Sequence, residues 1–132
     1  MSWQAYVDNN LVATGKVAKA AIFGLDGNPW ATSPDFSITN EEAKKLIAAF
    51  DGVDEIAANG LHLTGTKFVF LRNPDNSIYA RHGATGITAV KTGQCVIIGY
   101  YADGQQGGDC NQVVENLGNY LVSVGYVQMY HK

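Results

Sequence analysis

The sequence predicts an α+β domain organised around an antiparallel β-meander. Four short runs of strand-forming residues follow one another between residues 67 and 101, with turn residues between them. Loops this short can join only antiparallel neighbours, because a parallel crossover needs a dozen or more residues. Helix-forming segments precede and follow the meander in the chain. The apolar face of such a sheet must be buried against other elements, so we expect these segments to pack on it.

Turn residues separate the four strands of the meander. The strands are Lys67–Arg72, Ser77–Arg81, Gly86–Lys91 and Gln94–Tyr101. We expect Pro74 to preset φ for the second position of the first turn. Gly83 and Gly93 are expected to supply positive φ in the next two turns.

A first helix is predicted from a Ser2 cap to about Val12. Two stripes at helical spacing share Trp3. One consists of Trp3, Val7 and Leu11, and the other of Trp3, Tyr6 and Asn10. The first stripe is aliphatic and can face the sheet. The second pairs two aromatic rings one turn apart, which suits either an aromatic core face or a partly exposed aromatic patch.

A hairpin is predicted next, from a strand over Val17–Gly24, the turn Asp26–Asn28 and a return strand over Trp30–Thr32. Pro29 removes a ladder donor, so the return strand should begin at an edge or a bend of the sheet.

Two short helices are predicted between the hairpin and the meander. A capping box of Thr39 and Glu42 starts the first of them, and Gly52 is expected to end it at the C′ position. Its apolar face consists of Ala43, Leu46, Ile47 and Phe50. Asp54–Ala58 predicts one further turn of helix, and a turn at Asn59–Gly60 leads into a short strand over Leu61–Leu63.

The last predicted helix follows the glycine-rich segment Gly104–Gly108. Asp109 and Gln112 form a variant capping box at its start. The predicted buried stripe consists of Val113, Leu117, Tyr120, Leu121 and Val124. The helix should end at Gly125–Tyr126, and residues 127–132 show no clear period.

Charge is spread unevenly along this chain of 132 residues, whose net charge is −3. Residues 61–100 carry a net +3 and the remainder −6. The acidic total argues against a general nucleic-acid binder. A basic sheet on an acidic body invites an acidic partner. The alternative is that strands near an edge carry Lys and Arg to remain soluble.

The sequence shows little sign of catalytic chemistry. Cys95 lies in the most apolar strand and is expected to be a core residue, whereas Cys110 lies near a helix start and could have a lowered pKa. The histidines lie on separate elements without ligand-like spacing, so we expect no metal and no cofactor: His62, His82 and His131. A small enzyme or small-ligand sensor that uses Cys110 or the Gly104–Gly108 loop is the alternative to a binding protein. The N-terminus lacks the basic region of a signal peptide, which favours a cytoplasmic location.

The segment Met1–Asp8 resembles the N-terminal signature of the profilins. Further matches follow in order at family-like spacing: Trp30–Ser33, Gly60–Leu61, Lys67, Arg72, Ser77–Arg81 and Val114–Leu121. The resemblance runs from residue 1 to about 126. It implies one domain with a central antiparallel sheet, the terminal helices on one face and smaller helices on the other. It also implies a monomeric, cytoskeleton-associated protein that binds actin monomers, proline-rich proteins and phosphoinositides, regulates actin polymerisation and has no catalytic site.

The family's groove for proline-rich ligands lies between the two terminal helices and is lined by aromatic rings. Carried over to this sequence, the groove residues are Trp3, Tyr6, Trp30, Tyr120, Leu121 and Tyr126. A polyproline II ligand is preformed, so docking it on flat rings costs little entropy. Tyr hydroxyls and indole N–H groups can donate to its unpartnered carbonyls.

The resemblance places the actin-binding face on the middle of the sheet and the start of the last helix. The residues carried over are Lys67, Phe70, Arg72, Arg81, Lys91, Gln106, Gly108, Asn111, Gln112 and Glu115. Strand alternation predicts that Phe70 and Arg72 share one side and that Lys67 lies on the other, at the rim. Lys67 and Arg72 could project from the same face only if one of them lies at a strand end or a bulge intervenes. Phe70 would then be the apolar anchor, and the basic residues would steer association.

Two departures from the family pattern affect the expectations. The last helix lacks the basic residues often found there, so phosphoinositide binding would depend on Lys67, Arg72, Arg81 and Lys91, and it should be weak. The chain also continues for residues 127–132 beyond the usual family end near Tyr126. This extension could fold over the groove, lengthen it through Tyr130, or hang free.

Overall fold

A computed structural model describes residues 2–124. Its centre is an antiparallel seven-stranded sheet with the strand order β2-β1-β7-β6-β5-β4-β3. The strands are β1 (Lys19–Gly24), β2 (Pro29–Thr32), β3 (Leu61–Leu63), β4 (Thr66–Arg72), β5 (Ser77–His82), β6 (Thr85–Lys91) and β7 (Cys95–Tyr101). The boundaries of the four meander strands lie within one residue of the prediction, and β2 occupies a sheet edge, as Pro29 indicated.

The N-terminal helical segment is irregular. It consists of one α-helical turn, α1 (Trp3–Ala5), then a π-helix over Tyr6–Leu11 and a 3₁₀ turn over Val12–Thr14. The Ser2 side chain accepts a hydrogen bond from the Ala5 N–H, which confirms the predicted cap. Val7 and Leu11 are fully buried, so the predicted aliphatic stripe faces the sheet. The chain is helical to Val12 and two residues beyond, as predicted, but only its first turn is α-helical.

Two hydrophobic cores lie on opposite faces of the sheet. Alternation divides neighbouring residues between them: Ile22 packs under the N-terminal segment and α4 (Gly107–Ser123), while Phe23 packs under α2 (Asn40–Ala49) and α3 (Asp54–Asn59). Ile97 and Ile98 on β7 divide in the same way. The expected layers, with the terminal helices on one face and the smaller helices on the other, are confirmed. None of the helices within residues 2–124 combines the length and the apolar character that crossing a bilayer requires.

The start of α2 forms as predicted, but its end differs. Thr39 and Glu42 make both bonds of the capping box, at 3.1 and 3.0 Å. The Glu42 carboxylate also accepts the backbone N–H groups of Thr64 and Gly65, which attaches α2 to the β3–β4 turn. The helix ends at Ala49, and Gly52 does not adopt the left-handed conformation of a C′ glycine.

The turns of the meander match the prediction only in part. Gly83 has a φ of 61°, as expected, but Gly93 does not adopt positive φ. The Thr92 hydroxyl closes that turn instead, because it accepts the N–H groups of the two residues that follow Gly93. Pro74 occupies the first position of its turn, since its carbonyl accepts the Ser77 N–H at 2.9 Å. Asp75, with a φ of 47°, supplies the left-handed residue.

Helix α4 begins earlier than predicted, and its buried face matches the predicted stripe only at Leu117 and Leu121. Gln106 is the N-cap, so Asp109 lies in the first turn and does not form the predicted capping box. The buried residues are Cys110, Val114, Leu117, Gly118 and Leu121. Tyr120 and Val124, predicted to be buried, are about half exposed. Gly118 permits close packing on β6, because a Cβ there would lie 2.8 Å from Val90. The predicted end at Gly125–Tyr126 lies outside the described residues.

Candidate functional site

Four aromatic rings form a continuous row across the terminal-helix face, and we call this row the aromatic strip. It runs from Trp30 on β2 through Trp3 and Tyr6 to Tyr120 on α4. The distances between successive ring centroids are 4.7, 5.7 and 6.4 Å. The strip therefore joins three elements that are far apart in the sequence.

The strip combines buried and exposed rings. Trp30 is 36% exposed and Tyr120 is 49% exposed, whereas Tyr6 is nearly buried and Trp3 is intermediate. Leu121 belongs to the core beneath the strip, with 1% exposure. A shallow groove of about 340 Å³ continues from the strip between the N-terminal segment and α4, and it is lined by Asn10, Thr14, Val113, Asn116, Leu117 and Tyr120. Tyr126, the sixth predicted groove residue, and the extension at residues 127–132 lie outside the described residues.

Two local features position the tryptophans, and sequence analysis missed both. The Gln4 side chain donates to the Thr32 carbonyl at 2.9 Å and to Asp8 at 3.0 Å, which ties the N-terminal segment to β2. Gly24 lies under the Trp30 indole, because an added Cβ would meet the indole nitrogen at 2.8 Å. Trp3 and Trp30 are thereby held against each other.

A second surface forms at the other end of the strand order, where a β-bulge redirects β4. Phe70 pairs with Ala80, but Arg72 pairs with Tyr79, so Leu71 is an extra residue in β4. Phe70 therefore packs against the small-helix core, whereas Arg72 turns to the α4 side. The expectation that Phe70 and Arg72 share one side was wrong, because a bulge lies between them.

On the α4 side, basic and apolar side chains share one open surface, which we call the basic–apolar surface. A concavity of about 290 Å³ is lined by Arg72 and Arg81 from the sheet, Gly108 and Asn111 from α4, and Leu71. Leu71 is 51% exposed. Val69, on the neighbouring part of β4, is 60% exposed. The exposure of these two apolar residues was not anticipated from the sequence.

The remaining residues predicted for the actin-binding face are arranged around this surface. Lys67 pairs with His62 at the β3 edge, and its side chain lies against Gly60. Lys91 lines a neighbouring cavity of about 390 Å³ that also contains Arg72. Gln106 and Gln112 are exposed at the start of α4. The structure thus brings Arg72, Arg81, Gly108 and Asn111 together in one concavity. Lys91 lines the neighbouring cavity, Lys67 lies at the β3 edge, and Phe70 packs on the opposite side of the sheet.

Glu115 is bound internally by side chains of β5. The hydroxyls of Ser77 and Tyr79 both donate to the same carboxylate oxygen, the Ser77 bond being 2.8 Å long. Burial, together with the Glu115 carboxylate, raises the pKa of Tyr79 to about 12. The Tyr79 ring in turn supports the Arg72 guanidinium, whose central carbon lies 5.1 Å from the ring centroid. The network links α4 to the side chain of Arg72.

Cys110 does not have the properties of a reactive thiol. Its side chain is fully buried, and burial raises the pKa of the thiol to about 11, contrary to the lowered pKa expected near a helix start. Cys95 is a buried core residue, as predicted. Within residues 2–124, no cluster of three His, Cys, Asp or Glu side chains could hold a metal ion.

Comparison with known proteins gives one consistent result. The profilin family model matches residues 1–126. Profilin-1A of Acanthamoeba castellanii is 47% identical over 126 residues, which cover 96% of this chain and all of that protein, and the profilin of Drosophila melanogaster is 45% identical with the same coverage. The structure of Acanthamoeba castellanii profilin IB superposes with a TM-score of 0.91 at 47% identity, covering 94% of this chain and 99% of that one. Mouse profilin IIa, solved in complex with a double repeat from the FH1 domain of mDia1, shares the fold with a TM-score of 0.79 at 23% identity, covering 95% and 99%.

Proposed function

The chain belongs to the profilin family, and from this premise we propose that its two surfaces divide the family's binding functions between them. The protein is an actin-binding adaptor of the cytoskeleton that also binds poly-proline. The aromatic strip is the surface for proline-rich partners, and the basic–apolar surface is the surface for actin monomers. One observation carries this assignment: the unbroken row of rings lies at the end of the strand order remote from Arg72 and Arg81.

The aromatic strip suits an extended proline-rich ligand. Trp30 and Tyr120 expose large parts of their rings at its two ends, so successive prolines can lie across it. Such a ligand is already rigid, and its carbonyls need donors from outside its own backbone. Aromatic rings with a polar tip supply both contact area and donors. Leu121 supports the strip from below, and Tyr126 is kept as a proposed groove residue.

The basic–apolar surface suits an acidic protein partner. Val69 and Leu71 supply apolar contact area, in place of the anchor role expected for Phe70. Arg72 and Arg81 can make bidentate bonds to carboxylates beside them. Around this centre we keep the rim residues as proposed contacts: Lys67, Lys91, Gln106, Gly108, Asn111 and Gln112. Glu115 acts by holding Tyr79 under Arg72.

The remaining expectations follow from this division. Phosphoinositide binding is weak, since it depends on few cations of the same surface and the body of the protein is acidic. The protein works as a monomer without catalysis. The alternative of a small enzyme or ligand sensor based on Cys110 is not favoured, because the thiol is buried.

A pair of reciprocal substitutions tests the division. Trp3→Ala interrupts the strip and should abolish retention on poly-proline while leaving actin binding intact. Arg72→Glu should weaken actin binding and leave poly-proline retention intact. Lys45→Glu, the same type of charge change at an exposed site on α2, is the matched control and should change neither.

Retention on immobilised poly-proline and binding to labelled actin monomers are measured for each variant. Poly-proline should also change the intrinsic fluorescence, because both tryptophans of residues 2–124 lie in the strip. Loss of both activities in either variant, in a protein with an unchanged circular dichroism spectrum, would contradict the division. An unchanged fluorescence upon saturation with poly-proline would exclude the strip as the ligand site.

A further inference from the structure

A cavity of about 300 Å³ opens on the small-helix face of the sheet, away from both surfaces described above. Its floor is aromatic, since it is lined by Phe36, Phe68 and Tyr100. The Tyr100 ring centroid lies 6.2 Å from that of Phe36 and 6.4 Å from that of Phe68. The two Phe rings are buried, whereas Tyr100 is intermediate. A cavity of this size can accept one flat ring.

A cation stands beside this floor. The Lys19 ammonium lies 5.8 Å from the Tyr100 ring centroid and 3.2 Å from the Asp35 carbonyl oxygen, to which it donates. An ammonium has three N–H donors, so this bond leaves two for another acceptor. Within residues 2–124, no carboxylate lies close enough to Lys19 to form an ion pair. The positive charge is therefore available to a ligand in the cavity.

A histidine also lines the cavity. His82 Nδ1 lies 3.1 Å from the Lys67 carbonyl oxygen. Because a carbonyl only accepts, Nδ1 is the donor in this contact. The His82 ring also packs edge-on against Phe68, at 6.1 Å between centroids.

Two lining residues have unusual backbone conformations. Asp35 and Thr64 have φ values of 59° and 54°. Positive φ is uncommon for any residue except Gly, and it is a marked outlier for a β-branched one such as Thr64. Thr64 and Gly65, the latter with a φ of 76°, form the two-residue turn between β3 and β4, and such a turn requires positive φ at both positions. Asp35 lies beside the cation of the cavity, because its carbonyl accepts a hydrogen bond from Lys19.

The surrounding groups restrict the chemistry of the ligand. The backbone N–H groups of Thr64 and Gly65 already bind Glu42, so they are not available to help hold a phosphate. A cationic guest would be repelled by the Lys19 ammonium beside the Tyr100 ring. The exposed Asp35 side chain on the rim disfavours ligands of high negative charge. An aromatic ring that bears a single carboxylate satisfies each condition.

We propose that this cavity binds a small aromatic carboxylate, with the ring on the Phe36–Tyr100 floor and the carboxylate on the Lys19 ammonium. The same chemistry occurs in a free aromatic acid and in a peptide that ends in an aromatic residue. This site is independent of the poly-proline and actin surfaces, so occupying it should leave both activities unchanged.

Titration with three phenyl probes of similar shape, followed by amide NMR shifts, tests the proposal. Phenylacetate should bind and shift the amides of Thr64, His82 and Thr85. Phenylacetamide, its neutral counterpart, should bind about tenfold more weakly, as expected for the loss of one charge-assisted bond. Equal binding of acid and amide, stronger binding of phenethylamine, or shifts confined to other parts of the protein would overturn the proposal.

Substitutions test the cation and separate the two ligand sources. Lys19→Gln should weaken phenylacetate binding about tenfold, whereas Lys16→Gln, a nearby lysine that pairs with Asp109, is the control and should have no effect. No change in Lys19→Gln would refute the assignment. Gly-Gly-Phe with a free carboxylate is compared with phenylacetate: tighter binding of the peptide assigns the site to chain termini, and tighter binding of phenylacetate assigns it to free acids.

Discussion

Replacing Tyr79 with Phe would keep the ring beneath Arg72 and remove only the hydroxyl that donates to Glu115. Glu115 would then retain the Ser77 hydroxyl as its donor from the sheet. A hydrogen bond to a charged group contributes about 1.5–3 kcal/mol to stability. Partial access of solvent to Glu115 reduces this value, so we expect Tyr79→Phe to lower the free energy of unfolding by between about 1 and 3 kcal/mol.

The pKa of Tyr79 reports on the same hydroxyl, because burial and then the Glu115 carboxylate raise it. It is about 12 in the folded protein, against an ordinary value of 10. The folded state therefore holds the proton more tightly, and the resulting stability is present below pH 10 and lost as the pH rises through 12. Two pKa units correspond to ~2.7 kcal/mol, of which about half is lost at pH 11. Solvent screening reduces this figure, and the bond to Glu115 supplies only part of it, since burial is the larger cause of the raised pKa.

Urea unfolding of the wild type and Tyr79→Phe at pH 7 and pH 11 checks both estimates. The variant should be less stable at pH 7, and the difference between the two proteins should shrink by about half at pH 11. Tyr120→Phe, which removes a hydroxyl from a half-exposed ring, is the control and should change stability little. If Tyr79→Phe is as stable as the wild type at pH 7, or if the difference does not depend on pH, the role assigned to the network is refuted.

Three further predictions concern the surfaces and the thiols. Arg72→Glu should weaken actin binding mainly through faster dissociation, whereas Lys67→Glu at the rim should mainly slow association. The slowing of association should shrink at high salt. If the two substitutions change the association and dissociation rates equally, the central position of Arg72 is contradicted. Binding to phosphoinositide vesicles should be weak and should fall steeply with salt, because each exposed cation contributes only about 1 kcal/mol near an anionic surface. Tight, salt-resistant binding would show that other residues take part. Cys95 and Cys110 should resist iodoacetamide at neutral pH until the protein unfolds, since both thiols are buried with raised pKa values; rapid alkylation of the native protein would disprove this.

The sequence by itself determined the features that depend on neighbours in the chain. The meander strands were predicted to within one residue, because their alternation and turn residues are local. The capping box at Thr39 and the hairpin turn at Asp26–Asn28 form for the same reason, and in the turn the Gly24 N–H bonds the Asn28 carbonyl. The resemblance also named the aromatic residues that the fold assembles into the strip.

Only the tertiary structure decided how these residues are oriented and what surrounds them. The bulge at Leu71 arises from the pairing of β4 with β5, and it moves Arg72 to the side opposite Phe70. Alternation along one strand counts residues and cannot detect an extra residue that the partner strand leaves unpaired. Packing of α4 on the sheet likewise selected its buried face and surrounded Cys110 with apolar groups, so the pKa of the thiol rises where the helix start alone would lower it. Such effects depend on contacts between distant segments, which no local pattern encodes.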